Sequence, residues 1–255
     1  MLNLCRTERT VRRNLHLACV LTVVAGILNS VGFVAVARYT SHMTGIVASM
    51  ADAIALGLPD LVAVGALALT AFVLGAVACA LVFNWGRVRG LRSRYANILL
   101  VKGMGMLLFG LLAERPQDAH RSVVMVGVLC FTMGLQNALI TRIGEWPVRT
   151  THITGMVTDI GVEIGKALYR SPADAADPVV GEPRRIAALA GLVALFFLGG
   201  MAGALGYLWL GFEVVVPVAA VLLLIAHRPL VQDLREAWLR RRPRRPSGRG
   251  PRSAR

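Results

Sequence analysis

The sequence predicts an all-α integral membrane protein, and three observations support this: its composition, its long apolar runs and the placement of its positive charges. Of 255 residues, 56% are hydrophobic and only 16% are charged, and the mean hydropathy is +0.62. Soluble domains are about 45–50% apolar and about 25% charged. This composition excludes an ordinary soluble domain, a disordered chain and a disulfide-rich secreted scaffold.

Six apolar runs are predicted to cross the membrane, for which a helix needs about 20 mainly apolar residues. They are residues 17–36, 61–84, 96–113, 122–141, 186–209 and 213–226. Pro59 is expected to begin the second of these helices, after Gly57 ends the segment before it. Pro217 predicts a kink or a late start in the sixth.

The positive charges predict the orientation of the spans. Of 28 Lys and Arg residues, 24 lie in the N-terminal tail, the 85–95 loop, the 142–185 segment and the C-terminal tail. The alternate segments hold Arg38, Arg115 and Arg121, and the last is Lys102, inside the third run. The positive-inside rule therefore predicts a plasma-membrane protein with both termini in the cytoplasm and an even number of spans.

Three regions follow from this pattern: a basic cytoplasmic tail over 1–16, a membrane domain over 17–230, and an Arg-rich disordered cytoplasmic tail over 231–255. We expect the second tail to fix topology and to bind anionic lipids, at about 1 kcal/mol per charge. Nucleic acid is not an expected partner, because no folded nucleic-acid-binding module accompanies the arginines. The basic residues before the first run imitate a signal peptide, but that run has a counterpart later in the chain, so we interpret it as a span.

The chain contains a repeated motif. Gly26-Ile-Leu-Asn29 is followed by Ser41-His-Met-Thr-Gly45, and Gly134-Leu-Gln-Asn137 is followed by Thr151-His-Ile-Thr-Gly155. Both copies place Gly-x-x-Asn inside a span and [Ser/Thr]-His-apolar-Thr-Gly about a dozen residues later. The joint match indicates an internal duplication.

Each unit, about 17–113 and about 122–230, holds three predicted spans. Because three is odd, the second unit must enter the membrane from the opposite side, which is a common plan of secondary transporters. Helices starting near Thr44 and Thr154 would present unpaired N–H groups. We expect these two His-Thr-Gly segments to be re-entrant or interfacial and to converge near a pseudo-twofold axis.

The candidate residues for binding a small solute or an ion are the polar groups of the spans and of the two His-Thr-Gly segments. They are Asn29, His42, Thr44, Gly45, Lys102, Gln136, Asn137, Thr151, His152, Thr154, Gly155 and Asp159. The two asparagines either make interhelical hydrogen bonds or contact the substrate. The two histidines suit helix capping or a polar network, then proton coupling, and least a metal, because no metal-binding spacing is present.

Three charged residues in the apolar segments allow two interpretations each. Lys102 either snorkels to the cytoplasmic surface or is a counter-charge for Asp159 or for an anionic substrate. Asp159 either complements a helix dipole or binds a cation or a proton. Glu163 lies one turn further on the same face, and for it we favour the helix-dipole role.

Small residues at four-residue spacing predict close helix packing. They are Gly199-x-x-x-Gly203, Ala202-x-x-x-Gly206 and Ala71-x-x-x-Gly75. The spacing does not decide between contacts within one chain and contacts between subunits, so a homo-oligomer is left open.

The motifs resemble those of the YoaK-type membrane proteins, known as domain of unknown function 1275. The matching stretches are Ser41–Gly45, and Met133–Asn137 leading to Thr150–Gly161, within a resemblance that covers about residues 15–230. An Asn commonly follows Thr-Gly in that family, whereas here Ile46 does, so one half lacks a polar group. The resemblance implies an integral membrane protein and no known activity.

The leading hypothesis is a small secondary transporter or permease for a small solute or an ion, working without a cofactor. Thr44, Gly45, Thr154 and Gly155 would shape the site; Asn29 and Asn137 would orient the substrate; Asp159 or His152 would carry the coupling ion. The alternatives are a non-catalytic membrane scaffold or regulator and, less favoured, a membrane-embedded enzyme. No nucleophile elbow, phosphate-binding loop or catalytic triad is recognisable, so no catalytic residue and no metal ligand is predicted.

Overall fold

The computed structural model describes residues 11–36, 39–112, 119–143, 151–172 and 177–241. These residues form eight α-helices and one 3-10 turn, and no strand occurs among them. The helices are α1 Val11–Val36, α2 Met43–Ala55, α3 Pro59–Val88, α4 Arg94–Leu112, α5 Ala119–Ile143, α6 Ile153–Leu168, α7 Pro183–Leu210 and α8 Val215–Arg241. The order of one long, one short and two long helices occurs twice.

Four stretches of these helices are long and apolar enough to cross a bilayer. They are Asn14–Ala35, Pro59–Val88, Val123–Arg142 and Pro183–Glu236. The last is divided at Gly211, whose positive φ of 58° ends α7 before α8 begins. The prediction of an all-helical membrane protein is confirmed.

The helix ends follow the punctuation of the sequence. Pro59 occupies the start of α3, where its missing N–H costs nothing, and Gly57 before it has a φ of 67°. Pro217 lies in the first turn of α8, so the late start is confirmed.

The boundary predicted for the disordered C-terminal tail is wrong by about three turns. Helix α8 continues through Pro229 to Arg241, whereas the tail was expected from residue 231. The helix persists because Asp233 accepts hydrogen bonds from the α3–α4 loop, and Glu236 pairs with Arg92 of that loop. Residues 242–255 and the first ten residues lie outside the described part of the chain.

The helices pack in corresponding pairs. Helix α1 packs on α7 and α3 packs on α5, while the short helices α2 and α6 pack on the long helices that follow them, α3 and α7. Helix α4 packs on α8, and α1 contacts α5 between the halves. The central apolar cluster draws mainly on α1, α4, α5 and α8. The outer faces carry exposed apolar side chains such as Leu74, Leu81 and Phe197, as a lipid-facing surface requires.

Glycines bring the backbones of α1 and α7 into contact. A Cβ at Gly26 would overlap the carbonyl oxygen of Phe196, and a Cβ at Gly199 would overlap that of Val23. Gly203 meets the backbone of α1 in the same way. The predicted packing of the Gly199-x-x-x-Gly203 stripe is therefore confirmed, and it lies within one chain.

The crossing of α3 and α5 uses the same device. A Cβ at Gly134 would overlap the carbonyl oxygen of Phe72, and a Cβ at Gly75 would overlap that of Phe131. Phe72 and Phe196 lie equally far from the prolines that begin their helices. The two crossings thus repeat residue by residue, and each depends on a glycine from both helices.

Candidate functional site

A buried polar network joins three helices in the interior of the bundle. Lys102 of α4 is 1% exposed, and its amine donates a hydrogen bond to Oε1 of Gln136 on α5. The Gln136 Nε2 donates in turn to the carbonyl oxygen of Leu21 on α1, at 2.7 Å. In the part of the chain that the structure describes, no carboxylate contacts Lys102. Among the described residues, the network therefore holds a buried amine without a carboxylate partner.

The interpretation of Lys102 as a snorkelling residue is wrong. Its amine points to an amide inside the bundle, and the side chain is among the largest fully buried ones. Asp159 is not its counter-charge, because Asp159 pairs with Arg185. The network has no repeated counterpart, since Leu28 occupies the position that matches Gln136. Leu28 is fully buried and can make no side-chain hydrogen bond.

The two repeated asparagines hold the segments that follow their helices. Asn29 Oδ1 accepts hydrogen bonds from the backbone N–H of Ser41, at 3.2 Å, and from its hydroxyl, at 2.9 Å. Asn137 Oδ1 accepts a hydrogen bond from the Thr151 hydroxyl. These bonds link a helix to the following loop, so the predicted interhelical bond is replaced by a local one. Each asparagine fixes the backbone just before a short helix.

The two histidines occupy the N-cap positions of the short helices. His42 precedes α2 with φ −96° and ψ 69°, and His152 precedes α6 with φ −90° and ψ 60°. Neither ring makes a capping hydrogen bond, so the predicted capping role falls to the backbone alone. Both side chains are exposed, and so are those of Thr44 and Thr154 two residues further on.

The glycine of each His-Thr-Gly segment meets the histidine ring differently. A Cβ at Gly45 would overlap the His42 ring, whereas a Cβ at Gly155 would lie 3.6 Å from Nδ1 of His152. In the first segment, then, the absence of a side chain makes room for the imidazole. In the second segment, a Cβ at the matching glycine would make only an ordinary van der Waals contact with the ring.

Glu163 of α6 is the centre of a charged cluster that the sequence did not rank as a site. It is 3% exposed and accepts hydrogen bonds from Lys166 at 2.9 Å, Arg185 at 3.3 Å and the backbone N–H of Glu182 at 3.0 Å. The bond from Lys166 and then that from Glu182 hold the pKa of this carboxyl below its ordinary value. Asp159 stands at the edge of the cluster, 3.5 Å from Arg185.

One signal in the sequence could have revealed this cluster. Lys166 follows Glu163 by three residues, which places acid and base on one helix face. The contribution of Arg185 could not be found in this way, because it comes from the start of α7 across the intervening loop. The matching position of α2 is Ala53, which is buried in an apolar setting.

The two short helices do not converge, contrary to the expectation of a shared axis site. Ile46 of α2 packs among residues of α3 and α5, whereas Met156 of α6 packs among residues of α7 and α1. Within the described ranges no group of three metal-ligating side chains occurs.

Comparison with known proteins gives a family match. The family described as "Protein of unknown function (DUF1275)" matches residues 17–227. No curated protein and no solved structure matches the chain. The matched region includes all eight helices in whole or in part, both His-Thr-Gly segments and the Lys102 network. The chain therefore belongs to the DUF1275 family of membrane proteins of unknown function.

Proposed function

We propose that this protein is a small secondary transporter or permease for a small solute or an ion, resident in the plasma membrane with both termini in the cytoplasm. The observation that carries the proposal is Lys102, an amine buried at the centre of the helices with an amide as its hydrogen-bond acceptor. Ionisable groups inside a membrane are costly, and they commonly mark substrate or proton pathways.

The proposed topology has six spans in two inverted units. Helices α1, α3 and α4 form the first unit, and α5, α7 and α8 form the second, with α2 and α6 as interfacial or re-entrant helices. The matching glycine crossings of α1 with α7 and of α3 with α5 support it. Because each unit has an odd number of spans, the second is inverted relative to the first.

Contacts at one end of the bundle support the proposed orientation. Arg92 of the α3–α4 loop pairs with Glu236 of α8 at 3.1 Å, and Ser93 N–H donates to Asp233 at 2.8 Å. The Arg142 guanidinium, at the end of α5, lies 5.4 Å from the Phe83 ring near the end of α3. Three of the Arg-bearing segments assigned to the cytoplasm thus meet at the same end.

The chemistry of Lys102 limits which chemical class of solute the protein would transport. A protonated amine in an apolar bundle attracts an anion, which would compensate its charge on entering. An amine that loses its proton instead can exchange protons with the two sides of the membrane. We therefore propose a small anion, or a small solute whose movement is coupled to protons, with Gln136 and Asn137 on the adjoining turn of α5 as further contacts.

The test is a flux measurement on the purified protein in proteoliposomes. A panel of small inorganic and organic anions is presented with and without a pH gradient, and solute-driven currents are recorded. Lys102→Met should abolish the current, because methionine fills similar space without the charge. Lys166→Met, which removes the half-exposed lysine that pairs with Glu163 on α6, should retain it.

Wild-type currents from the Lys102→Met protein would overturn the role of Lys102. If wild type moves no solute of the panel and Lys102→Met changes no property but stability, the scaffold hypothesis replaces transport. Size-exclusion profiles of all variants show whether folding is intact.

A further inference from the structure

A cluster of cationic and amide donors lies where the ends of α3 and α5 meet the start of α4. The Arg94 guanidinium lies 5.6 Å from the centroid of the Phe83 ring, and that of Arg142 lies 5.4 Å from the same centroid. Two like charges thus lie near one aromatic ring. The cation–π contact stabilises each guanidinium, but it does not reduce the repulsion between the two. In the described part of the chain neither guanidinium pairs with a carboxylate.

Two donors of this cluster are buried without a hydrogen-bond partner among the described residues. They are Nε of Arg94 and Nδ2 of Asn97, one turn apart on α4. Gly86 of α3 lies against both: a Cβ there would lie 2.9 Å from the Arg94 Cβ and 3.7 Å from the Asn97 amide nitrogen. Buried donors without an acceptor are rare in folded proteins, and each is costly. These two donors are therefore suited to an acceptor from outside the chain.

Two acids of α8 that lie at the α3–α4 loop are already engaged. Asp233 accepts from the backbone N–H groups of Arg92 and Ser93, and Glu236 pairs with the Arg92 side chain. Counted over the residues that the structure describes, the cluster thus retains an excess of positive charge and of donors. Its position also suits the membrane surface, because Trp85 on the neighbouring turn of α3 is 48% exposed, and aromatic side chains of this kind gather at the headgroup level.

We propose that Arg94, Asn97 and Arg142 bind a phosphate group, either on the headgroup of an anionic phospholipid or on free phosphate from the cytoplasm. A phosphate group carries one or two negative charges and several acceptor oxygens. A guanidinium group can donate two hydrogen bonds to a pair of such oxygens. A phosphate bound here would accept hydrogen bonds from the two donors and would offset the repulsion between the two arginines. The site shares no residue with the Lys102 network or with the Arg-rich tail.

The test measures lipid and phosphate binding to the full chain in detergent. Phosphatidylglycerol, phosphatidylcholine and inorganic phosphate are titrated separately, with retained ligand followed by native mass spectrometry and by the shift in melting temperature. The Arg94→Gln/Arg142→Gln variant should bind about tenfold more weakly than wild type. The control, Arg170→Gln/Arg184→Gln, removes the same charge from exposed positions and keeps the Arg-rich tail, and it should bind as wild type does.

The two sources give different outcomes. Saturable binding of phosphatidylglycerol that millimolar inorganic phosphate does not displace assigns the site to a headgroup, whereas stabilisation by inorganic phosphate alone assigns it to free phosphate. Asn97→Asp, similar in size but negative, should lose binding even if the double variant fails to fold. Equal losses in the double variant and the charge control, or no loss in Asn97→Asp, would overturn the proposal.

Discussion

The short helices α2 and α6 begin alike and end differently. Each follows an asparagine that accepts a hydrogen bond from a serine or threonine, and each has a histidine at its N-cap with nearly the same backbone angles. After that point α2 buries Ala53 where α6 buries Glu163. The chain then reaches α3 after three residues, whereas α7 follows α6 only after a longer loop.

The difference indicates which parts of the repeat the fold requires. The glycine crossings and the asparagine-anchored turns occur in both halves, because they set how closely the backbones approach. The polar contacts do not repeat: Gln136 accepts a hydrogen bond from Lys102, whereas its counterpart in the first half is Leu28. Glu163 contacts Lys166 and Arg185, whereas its counterpart is Ala53. The two halves therefore share a backbone arrangement but carry different polar groups.

The largest expected effect concerns the glycines at the two helix crossings. Gly134→Ala and Gly26→Ala should each destabilise the protein by about 3 kcal/mol, since the added methyl would overlap a carbonyl oxygen of the facing helix. The equivalence of the two halves predicts similar losses at the two sites, measured as melting temperature by size-exclusion chromatography in detergent. Gly127→Ala and Gly105→Ala, where the methyl meets open space, should be neutral or stabilising by up to about 1 kcal/mol. A large loss at only one crossing would break the equivalence.

The next largest effect should appear in the second half alone. Glu163→Gln leaves Lys166 and Arg185 without their buried carboxylate, so the melting temperature should fall clearly. Asp159→Asn, which affects a half-exposed pair at 3.5 Å, should change it far less. Equal effects of the two substitutions would contradict the central place of Glu163.

The same residue predicts a pH dependence. Because the folded-state pKa of Glu163 is below its ordinary value of 4.5, its stabilising contribution is complete above that pH and is lost as the pH falls through the lower folded value. Melting curves between neutral pH and about pH 3 should therefore show a loss at the acidic end that Glu163→Gln reduces. An unchanged pH profile in the variant would exclude this contribution.

A smaller effect distinguishes the two His-Thr-Gly segments. Gly45→Ala should cost about 2 kcal/mol, because its methyl would overlap the His42 ring. Gly155→Ala should be neutral or stabilising, since the methyl there has an ordinary 3.6 Å contact. Adding His42→Ala to Gly45→Ala should restore stability, and a failure of that rescue would show that another contact forbids the methyl.

The smallest expected effect concerns the anchors of the two turns. Ser41→Ala and Thr151→Val each remove a side-chain hydrogen bond to an asparagine, and each should cost about 1 kcal/mol. Ser41→Ala keeps the backbone N–H bond to Asn29, so it should cost less than Asn29→Ala. Equal stability of Asn29→Ala and wild type would remove the anchoring role.

Much of the fold was predictable because local signals and hydrophobicity fix it. Long apolar runs specified the long helices to within a few residues at most ends, and Pro59 and Gly57 marked a helix start and stop. The end of α8 was not predictable, because the acids that hold its last turns find their partners in a loop far away in sequence. Of the candidate site, the sequence identified Lys102, Gln136 and the asparagines. It did not identify the hydrogen-bond partner of each residue.

The sequence by itself determined that this is a helical membrane protein with a repeated Gly-x-x-Asn and His-Thr-Gly motif, since composition and spacing are properties of the linear chain. Only the tertiary structure decided that Lys102 turns inward to Gln136, that Asp159 pairs with Arg185, and that Glu163 is the buried acid. Each of these depends on which helix faces which. That arrangement is set by close contacts between helices at glycines that are far apart in the chain. Sequence periodicity shows which face of a helix is buried, but it does not show which helix packs against that face.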